Sequence, residues 1–177
     1  MSEPGPAGGD AAALSFATPR LRAEPAGPGE AAALQSVLDA VPGYRLLEEA
    51  PEGPEAGAGL LGDAEADPDR RLLLLRFAGG GAAAGSPPAG ILDLQLHWPE
   101  PGAAHIRLLL VREALQGRGL GREVVAALAG ALRLEGLRAL RLSVTDENQG
   151  ARLFWERMGF VPVDRLDEGV TVLEMLL

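Results

Sequence analysis

From residue 70 onward the spacing of apolar positions changes from segment to segment, and each change marks an element. Arg71–Ala78 (RLLLLRFA) is a near-continuous apolar run, the pattern of a strand covered on both faces. Gly79–Gly90 (GGGAAAGSPPAG) is a connection with hairpin character. Ile91–Trp98 (ILDLQLHW) alternates apolar with polar, as a half-buried strand does, and after a turn at Pro99–Gly102 a further strand follows at His105–Val111 (HIRLLLV). The period then becomes helical. Gly119–Glu135 places Leu120, Val124, Leu128, Ala131 and Leu134 in one stripe with arginines outside it, and Gly136 stops the helix. Arg138–Val144 (RALRLSV) predicts a strand. Gln149–Met158 predicts a helix with Ala151, Phe154, Trp155 and Met158 on one face, capped by Gly159. Phe160–Val163 and Val170–Leu176 predict a closing strand pair.

The chain before residue 70 is patterned more weakly. Leu14–Ala23 holds a strand broken at Pro19. Glu30–Ala40 carries Ala33, Leu34, Val37 and Leu38 at helical spacing, and Pro42 and Gly43 end it just before Tyr44. Glu48–Arg70 is acidic and rich in Gly, Ala and Pro, so no helix is assigned to it. Residues 1–13 read as a flexible tail, leaving 14–177 as one domain. The order predicts a mixed α/β fold in which an antiparallel meander feeds a strand–helix–strand unit.

Composition narrows the function. The chain has 16 basic and 25 acidic residues and a net charge of -9, which argues against phosphate-backbone recognition and hence against a nucleic-acid partner. There is no cysteine, so disulfides, thiolate metal sites and cysteine nucleophiles are excluded together. With only His97 and His105, a zinc site is not expected either, and no metal is assigned. No basic leader and no apolar run of about 18 residues is present, so the expectation is a cytoplasmic protein without a membrane partner. Every basic residue is arginine, and Asn148 is the only asparagine. Gly and Pro are background in so biased a chain; a lone asparagine carries more weight.

The chemistry-bearing stretch is Leu109–Gly121 (LLVREALQGRGLG), in which a strand ends, Gln116-Gly117-Arg118-Gly119-Leu120-Gly121 turns, and the long helix begins. The first amides of a helix have no intrahelical partner, and the helix dipole makes that end partially positive. Glycines let a phosphate approach such amides closely, and Arg118 and Arg122 add charge. A tight strand–helix turn in a glycine-rich chain reads the same way. A Walker loop is excluded because no Lys-Ser/Thr follows, and the glycine spacing after a meander fits a dinucleotide fold poorly.

This stretch resembles motif A of the GNAT superfamily of N-acetyltransferases, Gln/Arg-x-x-Gly-x-Gly/Ala, with Gln116, Gly119 and Gly121 at its three positions. Asn148–Phe160 (NQGARLFWERMGF) resembles a second family segment that follows the next strand, with Asn148 at its leading asparagine. The resemblance is specific over residues 91–163 and weaker over 14–90, where Val41–Tyr44 resembles the helix-ending segment of some bacterial members.

The resemblance implies a GNAT fold: a central, mostly antiparallel twisted sheet of six to seven strands, its fourth and fifth splayed, flanked by about four helices. It implies that pantetheine lies between the splayed strands, paired with backbone groups of Leu109, Leu110 and Val111. Amides from Gln116 through Gly117, Arg118, Gly119, Leu120, Gly121 and Arg122 would hold the pyrophosphate of acetyl-CoA, and Asn148 would bond the same cofactor. An amide near Leu109 or Leu110 would polarise the thioester carbonyl. Many members carry a tyrosine at Trp155 that reprotonates the thiolate; an indole N–H is no useful acid. The base is expected at His105, where some relatives carry glutamate, with Asp93 and Glu100 as alternatives. Tyr44 and Asp93 are expected near the acceptor. The implied activity is acetyl transfer from acetyl-CoA to a primary amine of a small molecule or peptide, by direct attack in a ternary complex. A catalytically silent acyl-CoA-binding protein is the alternative, and a homodimer is compatible with either.

Overall fold

The computed structural model describes residues 14–43, 53–79, 86–166 and 169–177. Eight strands form one sheet in the order β1-β2-β3-β4-β5-β6-β8-β7, where β1 is Phe16–Ala17, β2 Leu21–Pro25, β3 Arg70–Phe77, β4 Gly90–Leu96, β5 Ala103–Val111, β6 Ala139–Thr145, β7 Val161–Leu166 and β8 Val170–Leu176. Among the described residues there are four α-helices: α1 Ala31–Leu38, α2 Ala56–Ala66, α3 Leu120–Leu134 and α4 Gln149–Arg157. The expected mixed α/β architecture is present, with one strand more than the six to seven anticipated, so that the pair expected to splay as fourth and fifth is β5 and β6. Pro19 breaks Leu14–Ala23 into the two-residue β1 and a separate β2, which pair with each other. Every neighbouring pair is antiparallel except β5–β6, which is parallel because α3 crosses over between them.

The sheet is covered on both faces, and this accounts for the apolar run in β3. Leu72 and Leu74 point to the layer of α1 and α2, whereas Leu73 and Leu75 point to the layer of α3 and α4. On α3 the buried stripe is Leu120, Val124, Val125, Leu128 and Leu132. Leu134, expected in that stripe, is exposed because the 3.6-residue period carries the buried face through Leu132 instead.

The acidic stretch left unassigned in the sequence contains α2. Its periodicity is weak because the small Ala56 and Gly57 share its buried face with Leu60 and Leu61, and packing on α1 is what holds it. A Cβ at Gly57 would lie 2.4 Å from the Ala31 carbonyl oxygen, so only glycine permits this approach, and the Gly57 N–H donates to Gln35 Oε1 at 2.9 Å. The N-terminal tail 1–13 and Tyr44 lie outside the described residues.

Candidate active site

The site starts from a misfit in the ladder. Leu94 of β4 pairs with Ile106 of β5, but Asp93 pairs with Leu108, so Arg107 is an extra residue bulged out of β5. The bulge resets the side-chain alternation. Ile106 belongs to the α3–α4 core, yet Leu108 and Leu110 belong to the α1–α2 core. On the other edge of β5, pairing with β6 runs only from Ala103↔Ala139 to Ile106↔Leu142. Beyond Ile106 the two strands diverge, and the bulged Arg107 sits at the fork.

The hydrogen-bond alternation says which backbone groups face the opening. Arg112 N–H donates to the Ala89 carbonyl at 2.9 Å. Antiparallel partners alternate between bonded and non-bonded pairs. Leu110 therefore exchanges bonds with Ile91, and Leu108 with Asp93, while the N–H and C=O groups of Leu109 and Val111 point into the fork. The Val111 carbonyl there accepts from Gln116 Nε2 at 2.9 Å. The amide of Leu109 is thus available to a guest and that of Leu110 is not.

Two cavities meet at the fork. One, of about 600 Å³, opens on the α1 side between Val41–Gly43, the stretch from Ile106 to Leu110, Ser143 and Asn148. The other, of about 590 Å³, opens on the α3–α4 side along Gln116, Gly117, Gly119, Gly121 and Arg122. Leu109, Gln116, Ala151 and Trp155 line both, so an extended molecule can pass from one face of the sheet to the other. Gly117 and Gly119 have φ of 71° and 80°, the left-handed region in which a side chain is strained, and Gly119 is the N-cap of α3. The turn is braced from a distance of about a hundred residues: Arg20 donates to the Arg118 carbonyl at 2.8 Å and to Glu123 Oε1 at 2.8 Å.

Residues 43–160 match the model of the acetyltransferase (GNAT) family. The chain belongs to that family. It is 34% identical to an acetyltransferase from Thermus thermophilus, whose crystal structure superposes with a TM-score of 0.77 over 89% of this chain and 97% of that one. A probable GNAT acetyltransferase from Chromobacterium violaceum shares the fold with a TM-score of 0.75 at 21% identity, covering 99% of this chain and 94% of that one. Mycothiol acetyltransferase of Beutenbergia cavernae is 36% identical over 73 residues, 41% of this chain; the match spans only 25% of that relative's length.

In this GNAT chain the structure gathers Leu109, Val111, Gln116, Gly117, Gly119, Leu120, Gly121, Arg122, Asn148 and Trp155 around the fork, whereas Arg118 lines neither cavity. Asn148 is the N-cap of α4: its Oδ1 accepts from the Ala151 N–H at 3.1 Å, and no hydrogen bond among the described residues uses its Nδ2. Trp155 is buried, edge-on to Phe154 and Phe160 at 4.8 and 5.2 Å, and forms the apolar floor common to both cavities.

Three candidates stand elsewhere. His105 lies in the closed part of the ladder, opposite Gln95 and Arg141, and is not among the residues that line the fork. Its ring meets Trp98 edge-on at 4.8 Å and its Nδ1 is buried without a partner. Burial, then the charges of Arg107 and Arg141, lower its pKa to about 4, which leaves a neutral and weakly basic imidazole. Asp93 is buried in a bidentate pair with Arg70, with Arg70 Nη2 at 2.8 Å from Oδ2, so it does not meet a ligand directly. Glu100 is tied to Arg141 at 3.0 Å. Sequence reasoning passed over Arg107, Glu113 and Ser143, which line the α1-side cavity, and Arg20, which braces the turn. For Arg107 a signal existed: it is the one arginine in a strand whose other residues, His105 aside, are apolar.

Proposed function

We propose that this chain transfers an acetyl group from acetyl-CoA to a primary amine by direct attack, within an acetyltransferase domain of residues 14–177 that works in the cytoplasm. The observation that carries this reading is the fork between β5 and β6, which joins a phosphate-compatible turn on one face to a cavity of about 600 Å³ on the other. The residues fit the cofactor. The positive-φ glycines leave the first amides of α3 accessible to a pyrophosphate, with Arg122 beside them. The free N–H and C=O of Leu109 and the N–H of Val111 suit pantetheine, which would take the place of a missing strand, and Asn148 Nδ2 can donate to it.

Bound acetyl-CoA supplies an activated thioester. The Leu109 N–H is the group we assign to polarise its carbonyl, since Leu110 is already engaged with Ile91. The amine nitrogen bonds to the carbonyl carbon as the C–S bond breaks, and the thiolate leaves with the electron pair. Glu113 is the one carboxylate lining the α1-side cavity among the described residues, and it takes the amine proton through water in this scheme. His105 is too weak a base and lies outside the cavity lining.

Trp155 in place of a phenol favours a second reading, a silent acyl-CoA-binding protein. Titration calorimetry with acetyl-CoA, followed by thiol release over a panel of amines, separates the two. Binding with turnover supports the enzyme, and binding without turnover supports the silent binder. No binding overturns both.

A further inference from the structure

The α1-side cavity has two charged residues in its lining among the described residues, Arg107 and Glu113. Arg107 is the bulged residue at the fork, and its side chain is 48% exposed. Its guanidinium Nε stands 3.7 Å from Asp93 Oδ2, an ion-pair contact too long for a hydrogen bond. That carboxylate is already held by two-pronged bonds from Arg70, and both members of the Arg70–Asp93 pair are buried. Asp63 and Asp67, the other acids beside this group, contact Arg70 and Gln95 and do not line the cavity. No hydrogen bond among the described residues ends on the Arg107 side chain, so its fork of donors remains open toward the cavity.

We infer that Arg107 binds an anionic group on the acceptor, so that the substrate of this acetyltransferase is a small amine with a carboxylate or phosphate a few bonds from its nitrogen. The inference rests on the acetyltransfer reading above. The strand rise of about 3.3 Å per residue sets Arg107 roughly 7 Å along β5 from Leu109, the amide assigned to the carbonyl. A planar guanidinium pairs with either oxyanion through two parallel hydrogen bonds. Asp93 is a positioning residue: buried and fixed by Arg70, it keeps Arg107 from turning away into solvent.

The test compares kcat/KM for matched amines, β-alanine against β-alaninamide and O-phosphoethanolamine against ethanolamine, in the wild-type protein and in Arg107→Gln and Arg107→Lys. The wild type should favour the anionic member of at least one pair by about tenfold or more, and the pair that shows it separates carboxylate from phosphate. Arg107→Gln should bring that ratio near one while leaving the acetyl-CoA dissociation constant unchanged by calorimetry. Arg107→Lys should restore some of the ratio, with a steeper loss in high salt. A wild-type protein that binds acetyl-CoA but uses neither set, or uses both alike, overturns this inference alone. One that fails to bind acetyl-CoA overturns the acetyltransfer reading and this inference with it.

Discussion

Asn148 has an observed role through one atom and a proposed role through another, and the two can be separated. Its Oδ1 caps α4 and its Nδ2 is unengaged among the described residues. Asp caps about as well as Asn. Asn148→Asp should therefore keep the melting temperature within a degree or two and weaken acetyl-CoA binding by about tenfold, because a donor becomes an acceptor with charge. Calorimetry beside a thermal melt checks this, and unchanged affinity would leave the cap as its only role. Trp155 gives the complementary case. Its indole fills the floor shared by both cavities, so Trp155→Phe should lose volume and stability, about 1–3 kcal/mol, while turnover falls less than tenfold. Loss of a general acid is typically worth about 10²–10⁴-fold, and a fall of that size in a folded variant would assign the indole N–H a specific chemical task.

At the scale of elements, the turn before α3 depends on conformation and on a distant brace. Gly119 at φ 80° tolerates a side chain poorly, and Asp there would also set a negative charge at the helix end. Gly119→Asp should remain folded by circular dichroism and bind acetyl-CoA at least about tenfold more weakly; wild-type affinity would place the cofactor's phosphates elsewhere. Arg20 holds the same turn through Arg118 and Glu123, and the pair is partly exposed. Arg20→Met should thus lower stability by no more than about 1 kcal/mol. The Arg70–Asp93 pair is a different matter, since both side chains are buried. Asp93→Asn strands a buried guanidinium, and chemical denaturation should show a loss of about 3–5 kcal/mol. A loss below about 1 kcal/mol would mean that the pair is hydrated or readily replaced.

For the molecule as a whole, His105 ties stability to pH. Its pKa of about 4 in the folded chain lies below the ordinary 6.5, so the unfolded chain takes up the proton first. Stability from this group is complete above about pH 6.5 and declines as pH falls toward 4, by up to about 1.4 kcal/mol per pH unit. Melting temperatures across that window should drop more steeply for the wild type than for His105→Gln; parallel curves would show that the histidine is solvated. Strand and helix periods, the glycine turn at Gln116–Gly121 and the solitary Asn148 were legible in the sequence because each rests on interactions within a few residues. The order of β3 to β8, with α3 and α4 between strands, followed from those periods, and the family resemblance drew on the same local signals. Five things were decided only by tertiary structure. Helix α2 forms because Gly57 lets it lie on α1, not because of its own pattern. The bulge that frees Leu109 and exposes Arg107 is a register difference between two strands, invisible in either alone. Asp93 is silenced by Arg70, 23 residues away, and the turn is braced by Arg20 from 98 residues away. His105 is removed from the site because it sits where β5 and β6 are still paired, just before they diverge. Patterns along a chain report the solvent and the nearest turns, whereas the position of a fork in a sheet depends on which strands meet and where they stop pairing.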